Sequence, residues 1–226
     1  MNVSLIPYII LILMGAAWGL SIPLTKITVS TGYGQFGLIF WQFVIAVIVL
    51  GFVLIVRRKR PLFERKTIFL FIVLALLGTI FPNSASYVAT YYLPASFIAI
   101  LIATVPMFSF PIAMLMGLEK KDFRRISGLF IGLIGVVILT GPEASFPDRH
   151  LLIFIPLALL APFFYAIEGN YVDKYGTAGQ DPIQTFTGAS ILGTFLILPV
   201  TISTGQWIDP LQPWPKENYT HVASSC

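Results

Sequence analysis

One acidic side chain lies inside an otherwise apolar stretch, and it is the group with the most evident chemistry. Glu168 follows the run LLIFIPLALLAPFFYAI. If that run is a membrane helix, the acid is by default functional, because a charge at the bilayer centre costs about 2.5–3.5 kcal/mol on insertion scales. Glu168 could then carry a coupling proton or bind a substrate amine. The alternative is an interfacial position, since roughly 17 residues at about 1.5 Å per residue bring it near the far end of the helix.

Lys26 is the corresponding base, near the end of the first apolar run, LIPYIILILMGAAWGLSIPLTK. Pairing with Glu168 is not expected, because the two would be separated by roughly 20 Å along the membrane normal at helical rise. We expect Lys26 to extend its amine outward to the interface, as long basic side chains do near helix ends. A substrate-binding role is the less favoured alternative.

A polar face is predicted in the third apolar run, where Asn83, Tyr87 and Tyr91 recur every four residues. Residues at this spacing share one side of a helix. Such groups either line a wet cavity or bond across helices, at about 0.6 kcal/mol per bond. Pro82, just before them, frees a backbone carbonyl, which favours a site.

Aromatic residues recur in a weak internal echo. MGAAWGLSIPLTKI resembles LAPFFYAIEGNYVDKY, and Trp18 aligns with Tyr165 about 147 residues later. Trp18 lies near mid-span with Ser21 three residues on, where it could stack on a flat substrate or fill the core. We predict that Trp18, Ser21 and Tyr165 line the same cavity as the polar face.

Enzyme and cofactor signatures are missing from the sequence. Its two histidines, His150 and His221, lie outside the apolar runs, and its single cysteine is Cys226. Neither a phosphate loop nor a zinc-ligand spacing is present. We therefore expect a protein that is not an enzyme and that has no metal or other cofactor.

The composition indicates a membrane protein. Hydrophobic residues make up 57% of the chain and charged residues 11%, and the mean hydropathy is +0.86. A soluble domain carries about 25% charged residues, so this chain must be covered by lipid. Unbroken runs of about 20 residues predict helices, hence an all-α polytopic fold. The net charge of +4 does not indicate nucleic acid, because the basic residues sit in short connectors.

Seven transmembrane helices are predicted, at about 5–26, 35–56, 68–92, 94–118, 126–139, 151–171 and 183–203. The loops after the second, fourth and sixth spans, with the adjoining helix ends, hold 11 of the 14 basic residues. The positive-inside rule places that side, and the N-terminus, in the cytoplasm.

Small residues and prolines predict how these helices pack and bend. Glycines in the fifth span recur every three or four residues and so lie on one face of the helix, which favours close packing. The same face could also join two copies as a homodimer. Prolines in the fourth and sixth spans predict kinks. These positions are Gly128, Gly132 and Gly135, and Pro106, Pro111, Pro156 and Pro162.

The first five spans form one repeat. Because five is an odd number, a second repeat would cross the membrane in the opposite orientation, as in many secondary transporters. On this reading, residues 5–141 form the first repeat. Residues 151–226 form an incomplete second repeat of two helices and an outer tail. We expect the chain to be truncated, with three further spans missing.

Three stretches resemble a known family: AAWGLSIPLTKI, YYLPASFIAILIATVPMF and GLEKKDFRRISGLFIGLIGVVILTG. They are similar to the EamA-type branch of the drug/metabolite transporter superfamily. The resemblance implies ten helices in an inverted repeat, cytoplasmic termini and a central cavity worked by alternating access. It also implies export or import of amino acids, nucleobases or other small metabolites, often coupled to protons.

The expected function is therefore secondary transport of a small metabolite across a bacterial-type inner membrane. The substrate would meet Trp18, Ser21, Asn83, Tyr87, Tyr91 and Tyr165, with Glu168 as the coupling residue. The alternative is a non-transporting membrane interaction protein or an inactive fragment. Expected partners are the metabolite and the lipid bilayer.

Overall fold

A computed structural model describes residues 5–140 and 149–211, and no strand occurs within these ranges. The long helices are α1 (Ile6–Ser30), α2 (Gln35–Val56), α3 (Arg65–Tyr92), α4 (Ala95–Leu115), α5 (Phe123–Thr140), α6 (Ile155–Tyr175) and α7 (Pro182–Ser203). A 3-10 turn, Arg149–Phe154, precedes α6. These bounds match the seven predicted spans to within a few residues, and the all-α prediction is confirmed.

Most of these helices are suited to a bilayer. In the described part of the chain, six helices of 21 to 28 residues are long and apolar enough to cross a membrane. A crossing takes about 20 residues, so each has the required length. The 18-residue helix α5 coincides with the fifth predicted span. The chain is therefore an integral membrane protein. The predicted outer tail lies mostly beyond residue 211, outside the described residues.

The three basic connectors meet at one end of the bundle, called here the basic end. The Leu62 amide donates to Oε1 of Gln180 at 2.9 Å, which joins the α2–α3 connector to the α6–α7 connector. Nζ of Lys174 donates to the Met116 carbonyl at 2.8 Å and so caps α4. The α3–α4 turn lies at the opposite end. Which compartment the basic end faces stays a prediction from charge.

Glycines on α7 allow aromatic rings to enter the core. The ring of Phe43 from α2 lies against Gly193, and the ring of Phe71 from α3 lies against Gly188. A Cβ at either glycine would overlap the ring. Both phenylalanines are buried, so these contacts fix α2 and α3 against α7.

The glycine face predicted on α5 behaves differently. A Cβ built on Gly128 or on Gly135 would meet no other atom of the described residues within 4 Å, and one on Gly132 would meet only the Met107 side chain. The predicted close packing is therefore wrong for Gly128 and Gly135 within the described part of the chain. Spacing alone could not show that the tightly packed glycines lie on α7.

One of the four prolines, Pro106, lies at an interruption of its helix. Helix α4 is regular from Ala95 to Ile102 and resumes from Val105, because Pro106 has no N–H for the Ile102 carbonyl. Pro156 lies in the first turn of α6, just after the 3-10 turn, where a missing N–H breaks no helical hydrogen bond. Pro111 and Pro162 lie inside continuous helices, so those two predicted kinks are not accompanied by breaks.

Helix α3 contains a π-helical turn, Leu76–Ile80, between its two α-helical parts. Pro82 lacks the N–H that would reach the carbonyl of Gly78 in a regular α-helix. The turn lies at the middle of the 28-residue helix. Single π turns are frequent at functional sites, and this one contains Gly78, which lies against the Glu168 side chain.

Asp181 stabilises the basic end and makes its stability depend on pH. Its carboxylate accepts from the Gln184 amide at 3.0 Å at the start of α7 and from Nζ of Lys59 at 2.8 Å. The Lys59 hydrogen bond, first among several contacts, lowers the pKa of Asp181 below its ordinary value. A depressed pKa stabilises the fold above the unfolded-state pKa, and this stabilisation is lost as pH falls through the folded-state pKa.

We therefore expect Asp181→Asn to flatten the fall in melting temperature between neutral pH and about pH 3, where carboxylates protonate. Asparagine caps a helix about as well as aspartate, so the variant removes the charge and keeps the cap. Thermal unfolding of the purified chain in detergent measures this. Asp209→Asn is the control, because the Asp209 carboxylate accepts from the Leu211 amide and makes no ion pair within the described residues. An unchanged pH profile in Asp181→Asn would contradict the prediction.

Candidate functional site

A cavity of about 290 Å³ lies between α1, α2, α3, α4 and α6, towards the opposite end of the bundle. Five of the predicted site residues line it: Trp18, Ser21, Asn83, Tyr87 and Tyr165. The helices bring them together because α3 packs against both α1 and α6. Residues that are up to 147 positions apart in sequence therefore line the same cavity.

Amide and hydroxyl groups join three helices across the cavity. Nδ2 of Asn83 donates to Oε1 of Gln42 at 2.8 Å, and the Tyr87 hydroxyl donates to the same oxygen at 3.1 Å. The Tyr165 hydroxyl donates to Oδ1 of Asn83 at 3.1 Å. This amide network, Gln42, Asn83, Tyr87 and Tyr165, uses both ends of the buried Asn83 side chain. It bonds across helices and lines the cavity, so the two alternatives left open for the polar face occur together.

Gln42 was missed by sequence reasoning. It lies in the run FGLIFWQFVIAVIVLGFVLIV, where it is the only amide side chain. A lone amide in an apolar span needs a hydrogen-bond partner inside the protein, because lipid offers none. That signal could have identified Gln42.

The end of α3 is capped by a buried amine. Nζ of Lys26 donates to the carbonyls of Thr90 and Tyr91 at 2.9 and 3.0 Å. Lys26 is 5% exposed, so the prediction that it extends outward to the interface is wrong. The unpaired carbonyls at the C-terminus of α3 attract a cation and explain its position. The proline-induced turn at Leu93–Pro94 brings these carbonyls towards α1.

Thr90 is the least satisfied polar group at the site. Its side chain is 1% exposed and lines the cavity. Its Oγ1 has no hydrogen-bond partner among the described residues. A buried hydroxyl without a partner costs free energy, so such a group warrants an explanation.

Tyr91 does not line this cavity. It is 49% exposed and lies against Tyr92, with ring centroids 5.0 Å apart. Eight residues after Asn83, a side chain has rotated by about 80° at 3.6 residues per turn. One step of four residues keeps Tyr87 on the same face of α3 as Asn83. A second step of four places Tyr91 outside that face. Tyr91 instead lines a second cavity, of about 300 Å³, which it shares with Tyr87.

Glu168 lies one turn from Tyr165 towards the basic end and is half-buried. Its carboxylate faces the π-helical turn of α3, where a Cβ added to Gly78 would come within 2.8 Å of Oε1. Gly78 is at the middle of α3, so the carboxylate lies beside the middle of that helix and not at its end. This contact argues against the interfacial position.

A second amide fixes α6 in place. Nδ2 of Asn170 donates to Oγ of Ser109 on α4 at 2.9 Å and to the Ala166 carbonyl at 2.7 Å. Asn170 is buried. The contact holds the helix that carries Tyr165 and Glu168 against α4, and sequence reasoning did not single it out.

Comparison with known proteins agrees with this geometry. The model of the EamA-like transporter family matches residues 5–141, which is more than half of the chain. No curated protein and no solved structure gives a match. The resemblance found in the sequence is confirmed. A membrane bundle with a polar cavity is what a small-molecule transporter requires, and this chain belongs to the EamA-like transporter family.

Proposed function

We propose that this chain carries a small metabolite across the membrane by alternating access, with the cavity as the substrate site. The observation that carries the proposal is the cavity itself, where an amide network and aromatic rings are held among membrane-spanning helices. Ligand sites combine apolar walls with a few placed polar groups. Transporter sites lie near mid-membrane between helices. The family of the chain supports the same function.

Glu168 is the proposed coupling residue. Its carboxylate lies between the cavity and the basic end and makes no ion pair within the described residues. A carboxyl without a fixed cationic partner can gain and lose a proton as the bundle opens to either side. Intramembrane acids serve as proton relays in other transporters.

Transport by the full chain in proteoliposomes tests the proposal. We expect radiolabelled amino acids or nucleobases to cross faster than in empty vesicles, with accumulation when a pH gradient is imposed. Glu168→Gln should remove the dependence on the pH gradient and leave exchange down a concentration gradient. Glu119→Gln is the matched control, because that carboxylate is paired with Arg125 at 2.6 Å at the basic end.

Two results would count against the proposal. Fluxes equal to those of empty vesicles across the whole panel would overturn the transport function. Accumulation by Glu168→Gln that still follows the pH gradient would overturn the coupling role alone.

A further inference from the structure

We propose that the cavity selects an uncharged, planar solute with an amide-type edge, such as a nucleobase or a related cyclic amide, over a zwitterionic amino acid. The inference rests on the proposed transport function and narrows its substrate class. It follows from the charge, the hydrogen-bonding groups and the ring surfaces of the cavity.

The cavity offers no formal charge. Among the described residues that line it, none is Lys, Arg, His, Asp or Glu. The nearby amine of Lys26 is buried and donates to two carbonyls of α3. The nearby carboxylate of Glu168 lies against Gly78. A zwitterion would exchange the hydration of two charged groups for neutral partners, which is unfavourable.

The cavity offers a donor and an acceptor, the two kinds of group that an amide edge requires. Oε1 of Gln42 already accepts from Asn83 and Tyr87, which fixes the orientation of the amide. Its Nε2 makes no hydrogen bond within residues 5–140 and 149–211 and can donate to a carbonyl. The buried Thr90 hydroxyl has no partner in the same part of the chain, so it can accept from an N–H. A cyclic amide presents a C=O and an N–H side by side.

The walls favour a flat molecule. The aromatic residues Trp18, Tyr87 and Tyr165 line the cavity, and Trp18 is 59% exposed. Aromatic side chains stack on planar heterocycles because both have extended π faces. The volume of about 290 Å³ lies just below the range of about 300–1,000 Å³ for ligand sites, which suits a single ring system.

Matched probes test the selection by charge. Nicotinamide and nicotinate have the same ring, but nicotinamide carries a neutral amide and nicotinate a carboxylate. Uracil is added as a second uncharged planar solute and phenylalanine as a zwitterionic amino acid. Binding to the full chain in detergent is measured by thermal stabilisation and by tryptophan fluorescence. We expect nicotinamide and uracil to bind about tenfold or more tightly than nicotinate and phenylalanine, since sites with fixed polar partners discriminate strongly.

Two variants link that preference to the named groups. Gln42→Leu and the near-isosteric Thr90→Val should each weaken nicotinamide binding about tenfold, because an unmatched polar group in the complex costs about that much. Ser203→Ala is the control, because the exposed Ser203 hydroxyl donates to the Val200 carbonyl of its own helix. Thr90→Val keeps the side-chain shape, so it also serves if Gln42→Leu does not fold.

The outcomes separate this inference from the proposed function. Equal or tighter binding of nicotinate or phenylalanine would overturn the selection for uncharged solutes, and transport could still stand. Absence of binding by all four probes would also overturn it. The transport function is judged by flux in proteoliposomes, which this binding experiment does not use.

Discussion

Replacing Lys26 with methionine is expected to destabilise the chain by about 2–4 kcal/mol, because each buried carbonyl left without a partner costs about 1–3 kcal/mol. Two carbonyls at the end of α3 depend on this amine, and the side chain is buried. Methionine keeps most of the length and removes the donors. Chemical unfolding of the purified chain in mixed micelles measures the change.

Lys174→Met is the matched control for that experiment. Lys174 also donates to the terminal carbonyl of a helix, at Met116, but in an exposed position. An exposed cation at a helix C-terminus contributes about 0.3–1 kcal/mol. Equal losses in the two variants would mean that the burial of Lys26 has no special consequence.

Asn83→Leu is expected to reduce transport by about tenfold or more, a barrier change of about 1.4 kcal/mol. Asn83 makes hydrogen bonds to Gln42 and to Tyr165. Leucine removes both, so the polar wall of the cavity loses its order across α2, α3 and α6. Stability should fall less, by about 1 kcal/mol, since interhelical hydrogen bonds average about 0.6 kcal/mol each. Flux in proteoliposomes and the unfolding midpoint are measured on the same preparation.

The neighbouring Ser84→Ala is the control for Asn83. The Ser84 hydroxyl donates to the Ile80 carbonyl of its own helix at 2.6 Å, so its loss should leave the wall of the cavity intact. Transport by Asn83→Leu at the rate of Ser84→Ala would show that the amide network has no role in transport.

The sequence was sufficient to predict the helices, because a helix in lipid requires a long apolar run. The ends of each run then indicate where the helix begins and ends. Five of the residues that line the candidate cavity were also predictable. Trp18, with Ser21 one turn on, and Asn83, with Tyr87 one turn on, follow helical spacing, and Tyr165 follows the internal echo of Trp18. Tyr91, one further turn on, lines a second cavity that also contains Tyr87, because a four-residue repeat drifts around the helix.

Other features depend on which helices are neighbours, and a single sequence does not state that. The position of Lys26 depends on the end of α3, which the turn at Leu93–Pro94 brings close to α1. The setting of Glu168 depends on a π-helical turn in a different helix. The packing role of Gly193 depends on a ring supplied by α2. In each case, the role of the residue is determined by a contacting group that comes from a distant part of the chain.

The break in α4 has a mechanical consequence. Ring-into-glycine contacts make α2 and α7 a stiff frame, whereas α4 already lacks the Pro106 hydrogen bond at Ala103–Thr104. Bending α4 there costs few backbone hydrogen bonds. Ile102, the residue just before the break, lines the cavity. We therefore expect α4 to bend at this break more easily than elsewhere, which would change the width of the cavity while the frame keeps its shape.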